Sequence, residues 1–388
     1  MGHIAAVCAA ERGRSSRIGV IAGTRPEAIK LVALVEALRA LPAGCLLINS
    51  GQHAAMVQRT LQHLGCAADL SLPQIAAPSL SAAVRTLRAQ LRDALRETRV
   101  EAVVVQGDTS SAYAGALAAA EVGLPLIHLE AGLRSGHPFR PFPEELFRRR
   151  IAPLAALHLA PTLAAARNLL GEGIDPARVR HVGNTVIDLL RREVEAGHAV
   201  ELPFLPATPR LATLTLHRRE NYGHGLDTAC AAVLDLLAAA PDLGLVCPVH
   251  PNPAVGTRIR RWLGTHPRIV LTAPLDYRPF IALLARSQLV VTDSGGIQEE
   301  APYLGTPVLV VRENTERPEA VALGAATLVP LRRERILAEA QRLLAAPRPR
   351  ALAFDAAAPF GDGRAALRCA AALQELLAMR DACLTLPP

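Results

Sequence analysis

Strand-sized apolar runs alternate along this chain with longer segments whose apolar positions recur at helical spacing, and clusters of Gly, Pro, Ser and Asp separate them. That alternation is the mark of parallel α/β structure. In the first half the pattern predicts strands at Ile18–Gly23, Leu46–Asn49, Ala102–Gln106, Pro125–Leu129 and Ala156–Leu159. Helices are predicted at Pro26–Ala40, Ala54–Leu64, Ser79–Thr98, Ser110–Val122 and Glu144–Ile151. A second series starts near Leu211, with strands at Leu211–Leu216, Leu243–Val249, Arg268–Leu271, Leu289–Thr292 and Pro307–Val310. Its helices fall at Asp276–Arg286, Gly296–Leu304 and Glu316–Ala322, and a last long helix covers Arg364–Met379.

The turn Gly171–Pro176 and the Pro-rich stretch Leu202–Pro209 are the natural breaks. They divide the chain into residues 1–175, joined by a returning C-terminal helix over 370–388, and residues 176–369. Each part reads as a Rossmann-like domain, with the two parallel sheets facing a central cleft. Polar residues gather where strands end: Gly23-Thr-Arg-Pro26, Ser50-Gly-Gln-His53, Gln106-Gly-Asp-Thr-Ser110 and His128-Leu-Glu130. Ligands of doubly wound sheets lie at the carboxyl ends of the strands, so these points are expected to converge.

Composition narrows the class. Of the 388 residues 51% are hydrophobic and 20% charged, enough for packed cores, and with 3% aromatics the packing falls to Leu, Val, Ile and Ala. No apolar run reaches the length of a membrane span. Met1–Ala10 is apolar but lacks a basic start, which predicts a short unstructured extension rather than an export signal. Seven scattered cysteines without a C-x-x-C pair read as free thiols packed in cores, in a reducing cytoplasm. The net charge of +7 is spread over helices and interleaved with acids, which fits solvated helix faces and an anionic small substrate better than nucleic acid. Of the 42 basic residues a single one, Lys30, is lysine, which marks a position where a compact ammonium is required.

The segment Val291-Thr-Asp-Ser-Gly-Gly-Ile-Gln-Glu-Glu300 carries the clearest chemistry. A strand ends, Ser294-Gly295-Gly296 permits close backbone approach, and a helix begins, so free N–H groups point at a phosphate; Glu300 lies one turn on, placed for ribose hydroxyls. A plain glycine turn explains the same residues when they are taken alone. Neither G-x-G-x-x-G nor G-x-x-x-x-G-K-[ST] is present, nor a metal-ligand spacing such as H-E-x-x-H. The four residues Arg-Pro-Glu-Ala occur twice, at Arg25–Ala28 and Arg317–Ala320, each time suiting a helix start.

Ten motifs in order complete the picture: Gly23–Lys30, Gly51–His53, Gly107–Thr109, His128–Arg134, Pro143–Glu145, Gly183–Asp188, His217–Asn221, Asp293–Glu300, Thr315–Ala320 and Gly361–Gly363. The series resembles the non-hydrolysing UDP-N-acetylglucosamine 2-epimerases over about Arg17 to Gln374. The resemblance implies a GT-B fold whose C-terminal domain binds UDP, a cytoplasmic homodimer, and no NAD or metal. It also implies interconversion of UDP-GlcNAc and UDP-ManNAc by elimination and re-addition of UDP through 2-acetamidoglucal. By that resemblance Asp108, Glu130 and Glu144 are the catalytic carboxylates. Arg25, Lys30 and His217 lie near the diphosphate with Ser294, Gly295 and Gly296, Phe280 meets the base, and Arg317 and Glu300 meet phosphate and ribose. Crowded carboxylates raise at least one pKa and so keep a proton in hand. Two positions depart from the family pattern. Phe147 replaces an Asn beside a catalytic acid, and Ala54-Ala55 replaces polar residues with which some members bind a second, activating UDP-GlcNAc. A hydrolysing 2-epimerase, a GT-B glycosyltransferase and a UDP-sugar-binding regulator are the rival readings.

Overall fold

The computed structural model describes residues 17–137, 141–197, 200–218 and 221–385. The expected N-terminal extension, Cys8, and Arg219 and Glu220 of the His217–Asn221 motif lie outside them, as does the side chain of Cys383. The chain forms two compact units, one of residues up to 192 plus those from 355, the other of residues 193–354.

The first unit holds a seven-stranded parallel sheet, β1 (Ile18–Ala22), β2 (Cys45–Asn49), β3 (Leu70–Ser71), β4 (Ala102–Gln106), β5 (Leu126–Leu129), β6 (Ala155–Ala160) and β7 (Val179–His181), in the order β3-β2-β1-β4-β5-β6-β7. Its helices are α1 (Arg25–Arg39), α2 (Ala54–His63), α3 (Leu80–Thr98), α4 (Ser110–Glu121), α5 (Glu144–Ile151), α6 (Leu163–Gly171) and α7 (Thr185–Ala196), the last running across the crossing to the second unit. Every residue of β1, β2 and β4 is buried, because a parallel sheet covered by crossover helices must be apolar on both faces. Hydroxyls start several helices: Ser79, Thr109 and Thr162 accept the N–H of Ala82, Ala112 and Ala165 at 3.3, 3.0 and 3.1 Å.

The second unit repeats the plan with six parallel strands, β8 (Arg210–Thr215), β9 (Leu243–Pro248), β10 (Ile269–Thr272), β11 (Leu289–Thr292), β12 (Val308–Val311) and β13 (Ala326–Val329), in the order β10-β9-β8-β11-β12-β13. Between them run α8 (His224–Ala239), α9 (Pro253–Leu263), α10 (Tyr277–Arg286), α11 (Gly295–Glu300), α12 (Pro318–Ala322) and α13 (Arg333–Ala345). After residue 354 the chain returns to the first unit and ends in α14 (Ala365–Thr385), which packs on α1.

The strand order reverses direction between β1 and β4 in one unit and between β8 and β11 in the other, and ligands of such sheets lie in the crevice at that switch point. Five cysteines, Cys45, Cys66, Cys230, Cys247 and Cys369, are buried free thiols. Among the described residues no helix is long and apolar enough to cross a membrane.

Several boundaries differ from the sequence expectation. The units exchange at 192/193 and 354/355 rather than at 175/176 and 369/370, because polar contacts tie the flanking segments into the first unit. The Asp188 carboxylate on α7 accepts the first N–H groups of α14, from Ala365 and Ala366, at 3.0 and 2.8 Å, and the Asn184 N–H donates to the Phe360 carbonyl at 2.8 Å. The helix expected over Gly296–Leu304 is α-helical only to Glu300 and tightens to a 3₁₀ turn at Ala301–Leu304, where Pro302 cannot supply an N–H. The helix expected from Glu316 starts at Pro318, since Glu316 and Arg317 are held by side-chain pairs at its entrance.

Candidate active site

In the first unit the site grows from the ends of β1, β4 and β5. Gly23 closes β1 where a Cβ would lie 1.8 Å from the Ser111 hydroxyl, so no other residue lets α4 come this close. The chain then turns through Thr24 into α1, with Pro26 in its first turn and Arg25, half-buried, as its first residue. Glu27, 1% exposed, reaches back to accept the Gly23 N–H at 3.0 Å and the Thr109 hydroxyl at 2.7 Å. Burial raises its pKa to about 7, against the hydrogen bonds that lower it. One turn further, Lys30 is buried and its Nζ pairs with Glu130 Oε2, an oxygen that also accepts the Gln106 amide at 2.7 Å. Glu130 sits at φ +61°, a left-handed backbone costly for a non-glycine residue and typical of a functional loop.

Asp108 follows β4 one strand away, beside the end of β5, where the Gly107 N–H donates to the Leu129 carbonyl at 2.9 Å. Its carboxylate pairs with Arg148 of α5. Arg148 in turn contacts the fully buried Glu145 at 3.3 Å, and Glu145 also takes Arg149 at 3.2 Å and the Ser135 N–H at 3.2 Å. Glu144 opens α5, half-buried. In the position where the family pattern has Asn, Phe147 is buried and stacks on Tyr113, ring centroids 4.8 Å apart. His128 on β5 lies beneath this loop with Nε2 2.8 Å from the Gly107 carbonyl, and burial presses its pKa down to about 3.

In the second unit the site grows from β8 and β11. Thr215 and Thr292 face each other in register and share a 2.7 Å hydrogen bond, which brings His217 and Asp293 side by side just beyond. Asp293, 0% exposed, accepts the His217 N–H at 3.0 and 3.1 Å, the Arg218 N–H at 3.0 Å and the Asn221 amide at 2.9 Å. The His217 ring places Nδ1 3.2 Å from Asp293 Oδ1 and stacks on His250 at 6.0 Å; burial lowers its pKa while Asp293 opposes the shift. Ser294 caps α11, its N–H donating to Thr292 Oγ1 at 2.9 Å.

Gly295 is glycine because a Cβ there would stand 2.7 Å from Arg317 Nη1. The Arg317 guanidinium thus lies over the Ser294-Gly295-Gly296 turn, held by Glu299 at 2.9 Å and Glu316 at 3.2 Å, and Glu316 is shared with Arg312 at 3.0 Å. All four charges are buried, as paired charges in an interior must be. Glu300 accepts the buried Tyr277 hydroxyl at 2.7 Å at the head of α10, three residues before the half-buried Phe280.

Lys30, Glu130 and Asp108 therefore meet at adjacent strand ends of the first unit, while Ser294, Gly295 and Arg317 meet in the second with His217 one strand away. Sequence reasoning passed over Glu27, Arg148, Asp293, Glu299 and Glu316, although Glu27, Asp293, Glu299 and Glu316 stand within the quoted motifs and Arg148 follows one. Among the described residues no cluster of three or more His, Cys, Asp or Glu side chains is placed to hold a metal ion.

Two doubly wound units with charged loops at both switch points define a protein of the GT-B class. The family model described as UDP-N-acetylglucosamine 2-epimerase matches residues 37–374. The UDP-N-acetylglucosamine 2-epimerase of Salmonella typhimurium is 39% identical, the match covering 94% of this chain and 99% of that protein; the Bacillus subtilis protein of the same name is 36% identical, covering 93% and 95%. Among solved structures, UDP-GlcNAc 2-epimerase from Neisseria meningitidis bound to UDP-GlcNAc superposes with a TM-score of 0.87 at 34% identity, over 92% of this chain and 99% of that one. The Methanocaldococcus jannaschii enzyme in complex with UDP-GlcNAc and UDP gives 0.83 at 29% identity, over 92% and 99%. This chain belongs to the UDP-N-acetylglucosamine 2-epimerase family.

Proposed function

We propose that this protein interconverts UDP-GlcNAc and UDP-ManNAc without net hydrolysis. C2–H of the bound sugar is not adjacent to a carbonyl, so direct deprotonation is prohibitive, and the reaction must begin at C1. The C1–O bond breaks with its electron pair leaving on the UDP oxygen, and the demand falls on stabilising negative charge on the diphosphate. Arg25, Lys30, His217, Arg317 and the Ser294–Gly296 turn are the groups assigned to that charge. C2–H of the oxocarbenium-like sugar is acidic enough for a carboxylate to remove, which yields 2-acetamidoglucal. A proton returned to C2 from the opposite face and re-addition of the UDP oxygen at C1 complete the isomerisation with atoms balanced. Asp108, Glu130 and Glu144 are the groups assigned to the proton traffic, and Phe280 and Glu300 to the uridine.

The observation that carries this reading is the pairing of cations with carboxylates at adjacent strand ends, Lys30 with Glu130 and Arg148 with Asp108. Removing a partner from a buried pair leaves an uncompensated charge, so a phosphate that draws Lys30 away changes the proton affinity of Glu130 as the leaving group departs. Binding alone has no need of such coupling, which counts against a non-catalytic regulator. The intact Pro143-Glu144-Glu145 supports the non-hydrolysing course.

Incubation with UDP-GlcNAc in D2O tests the proposal: recovered UDP-ManNAc and UDP-GlcNAc are expected to carry deuterium at C2. Recovered nucleotide sugar free of deuterium overturns it, and accumulation of free UDP with N-acetylmannosamine selects the hydrolysing course instead.

A further inference from the structure

Asp293 is a fully buried carboxylate that accepts hydrogen bonds from three residues, and the reaction outlined above gives it no task. Its described hydrogen-bond donors are the main-chain N–H groups of His217 and Arg218 and the Asn221 amide, and the His217 ring brings Nδ1 to 3.2 Å from Oδ1. An unprotonated Nδ1 would turn its lone pair toward a carboxylate oxygen, which is repulsive; a protonated Nδ1 turns a donor toward an acceptor. We propose that Asp293 is a positioning residue that holds His217 with its proton on Nδ1, leaving Nε2 as the ring atom that works on the substrate. The inference rests on His217 serving the reaction proposed above.

The fold explains why one carboxylate does this. β8 and β11 are paired in register to Thr215 and Thr292, so the residue one past β11 lies beside the residue two past β8. The same carboxylate fastens the loop after β8 at three residues and precedes Ser294, so the ring and the Ser294–Gly296 turn share one anchor. A neutral imidazole has a single proton to place, and the hydrogen bond at one nitrogen decides what the other can do. Around the ring stand Asp293 from the end of β11, Arg218 from its own loop, His250 from the end of β9 and Arg312 from the end of β12. Among these described groups Asp293 is the acid, so it stabilises the imidazolium that forms when Nε2 takes a proton and draws the neutral ring's proton to Nδ1.

Long-range 1H–15N correlation spectra of histidine-labelled protein read the tautomer directly, with the His217 signals assigned by their loss in His217→Asn. The wild-type ring is expected with Nδ1 protonated and Nε2 bare at pH 8, and Asp293→Asn with a mixed or reversed tautomer. Turnover of Asp293→Asn is expected to fall by about 100-fold, the scale of a misplaced proton-transfer group, with KM for UDP-GlcNAc changed far less. In Asp293→Asn/His217→Asn the losses are expected not to multiply, because the first acts through the second. A wild-type ring protonated on Nε2, or multiplicative losses in the double variant, overturns the inference; should Asp293→Asn not fold, the wild-type spectrum decides alone. Because that spectrum needs no turnover, an Nδ1–H ring beside a failed D2O assay would keep the Asp293–His217 pair while discarding the epimerisation reading.

Discussion

Lys30 stands out from composition alone, since a chain that writes nearly every basic position as Arg kept one ammonium. The structure gives a reason in its burial and its pairing with Glu130 Oε2, a space that Gln106 shares. A planar guanidinium is larger and forks toward two acceptors, so Lys30→Arg is expected to lower kcat by about 100-fold rather than substitute for the ammonium, as steady-state kinetics will show. Arg148, Glu27 and Asp293, which the structure places beside Asp108, Thr109 and His217, did not stand out in the sequence. A single sequence shows which types are present but not which buried charge stands against which, and each of the three has a partner far away along the chain. Phe147 was legible only as a departure, a lost amide beside an acid. Its ring packs on Tyr113 in a buried position, so Phe147→Asn, which restores the family residue, is expected to destabilise this protein by several kcal/mol, on the order of other large-to-small core changes, seen as a fall in Tm.

Strands buried on both faces were read from sequence to within a residue or two, because an apolar run bounded by Gly and polar residues has few other homes. What escaped were the two-residue β3, the short β7 and β13, and the helices α7, α8, α9 and α13; in α8 an Ala-rich sequence spreads small apolar residues around the helix and blurs its period. The helix starts carry more than local stability. Thr109 Oγ1 accepts the Ala112 N–H at 3.0 Å and donates to Glu27 at 2.7 Å, so one hydroxyl both caps α4 and ties it to α1 next to Asp108. Thr109→Ala is expected to cost about 1–2 kcal/mol from the cap alone, with a further loss from the unsatisfied Glu27, while Thr109→Ser keeps both bonds. Chemical denaturation of the two variants separates these outcomes.

For the molecule as a whole, four buried groups of the first unit oppose one another in the response to acid. His128 and His158, on neighbouring strands, have pKa values lowered by burial to about 3 and about 4, so both are neutral when folded. Their contribution is complete above the unfolded value near 6.5 and is lost as pH falls through the folded values. Glu27 and Asp188 shift the other way, raised by burial to about 7 and about 6, and their contribution is present below the unfolded carboxylate range and lost as pH rises to those values. Between about pH 4.5 and 6 the two trends oppose each other; below about 4 the remaining losses come from His128 and from Asp362, whose carboxylate the Arg368 guanidinium holds down to about 2. A Tm nearly level from pH 6 to 4.5 and falling below about 4 is the expected profile. His158→Leu removes one of the two opposing histidines in that window, so its Tm is expected to rise as pH falls from 6 to 4.5, and a level profile in that variant would remove His158 from the account.

The excursion of residues 193–354 away from a unit to which the chain later returns has a consequence for biosynthesis. On the ribosome the inserted unit is fully translated, and free to fold, while its host still waits for α14, the helix that covers α1 and whose first N–H groups Asp188 receives. Until that last helix emerges, an apolar flank of α1 stands uncovered on the nascent chain, so the order of translation makes the earlier-born sheet the later one to mature.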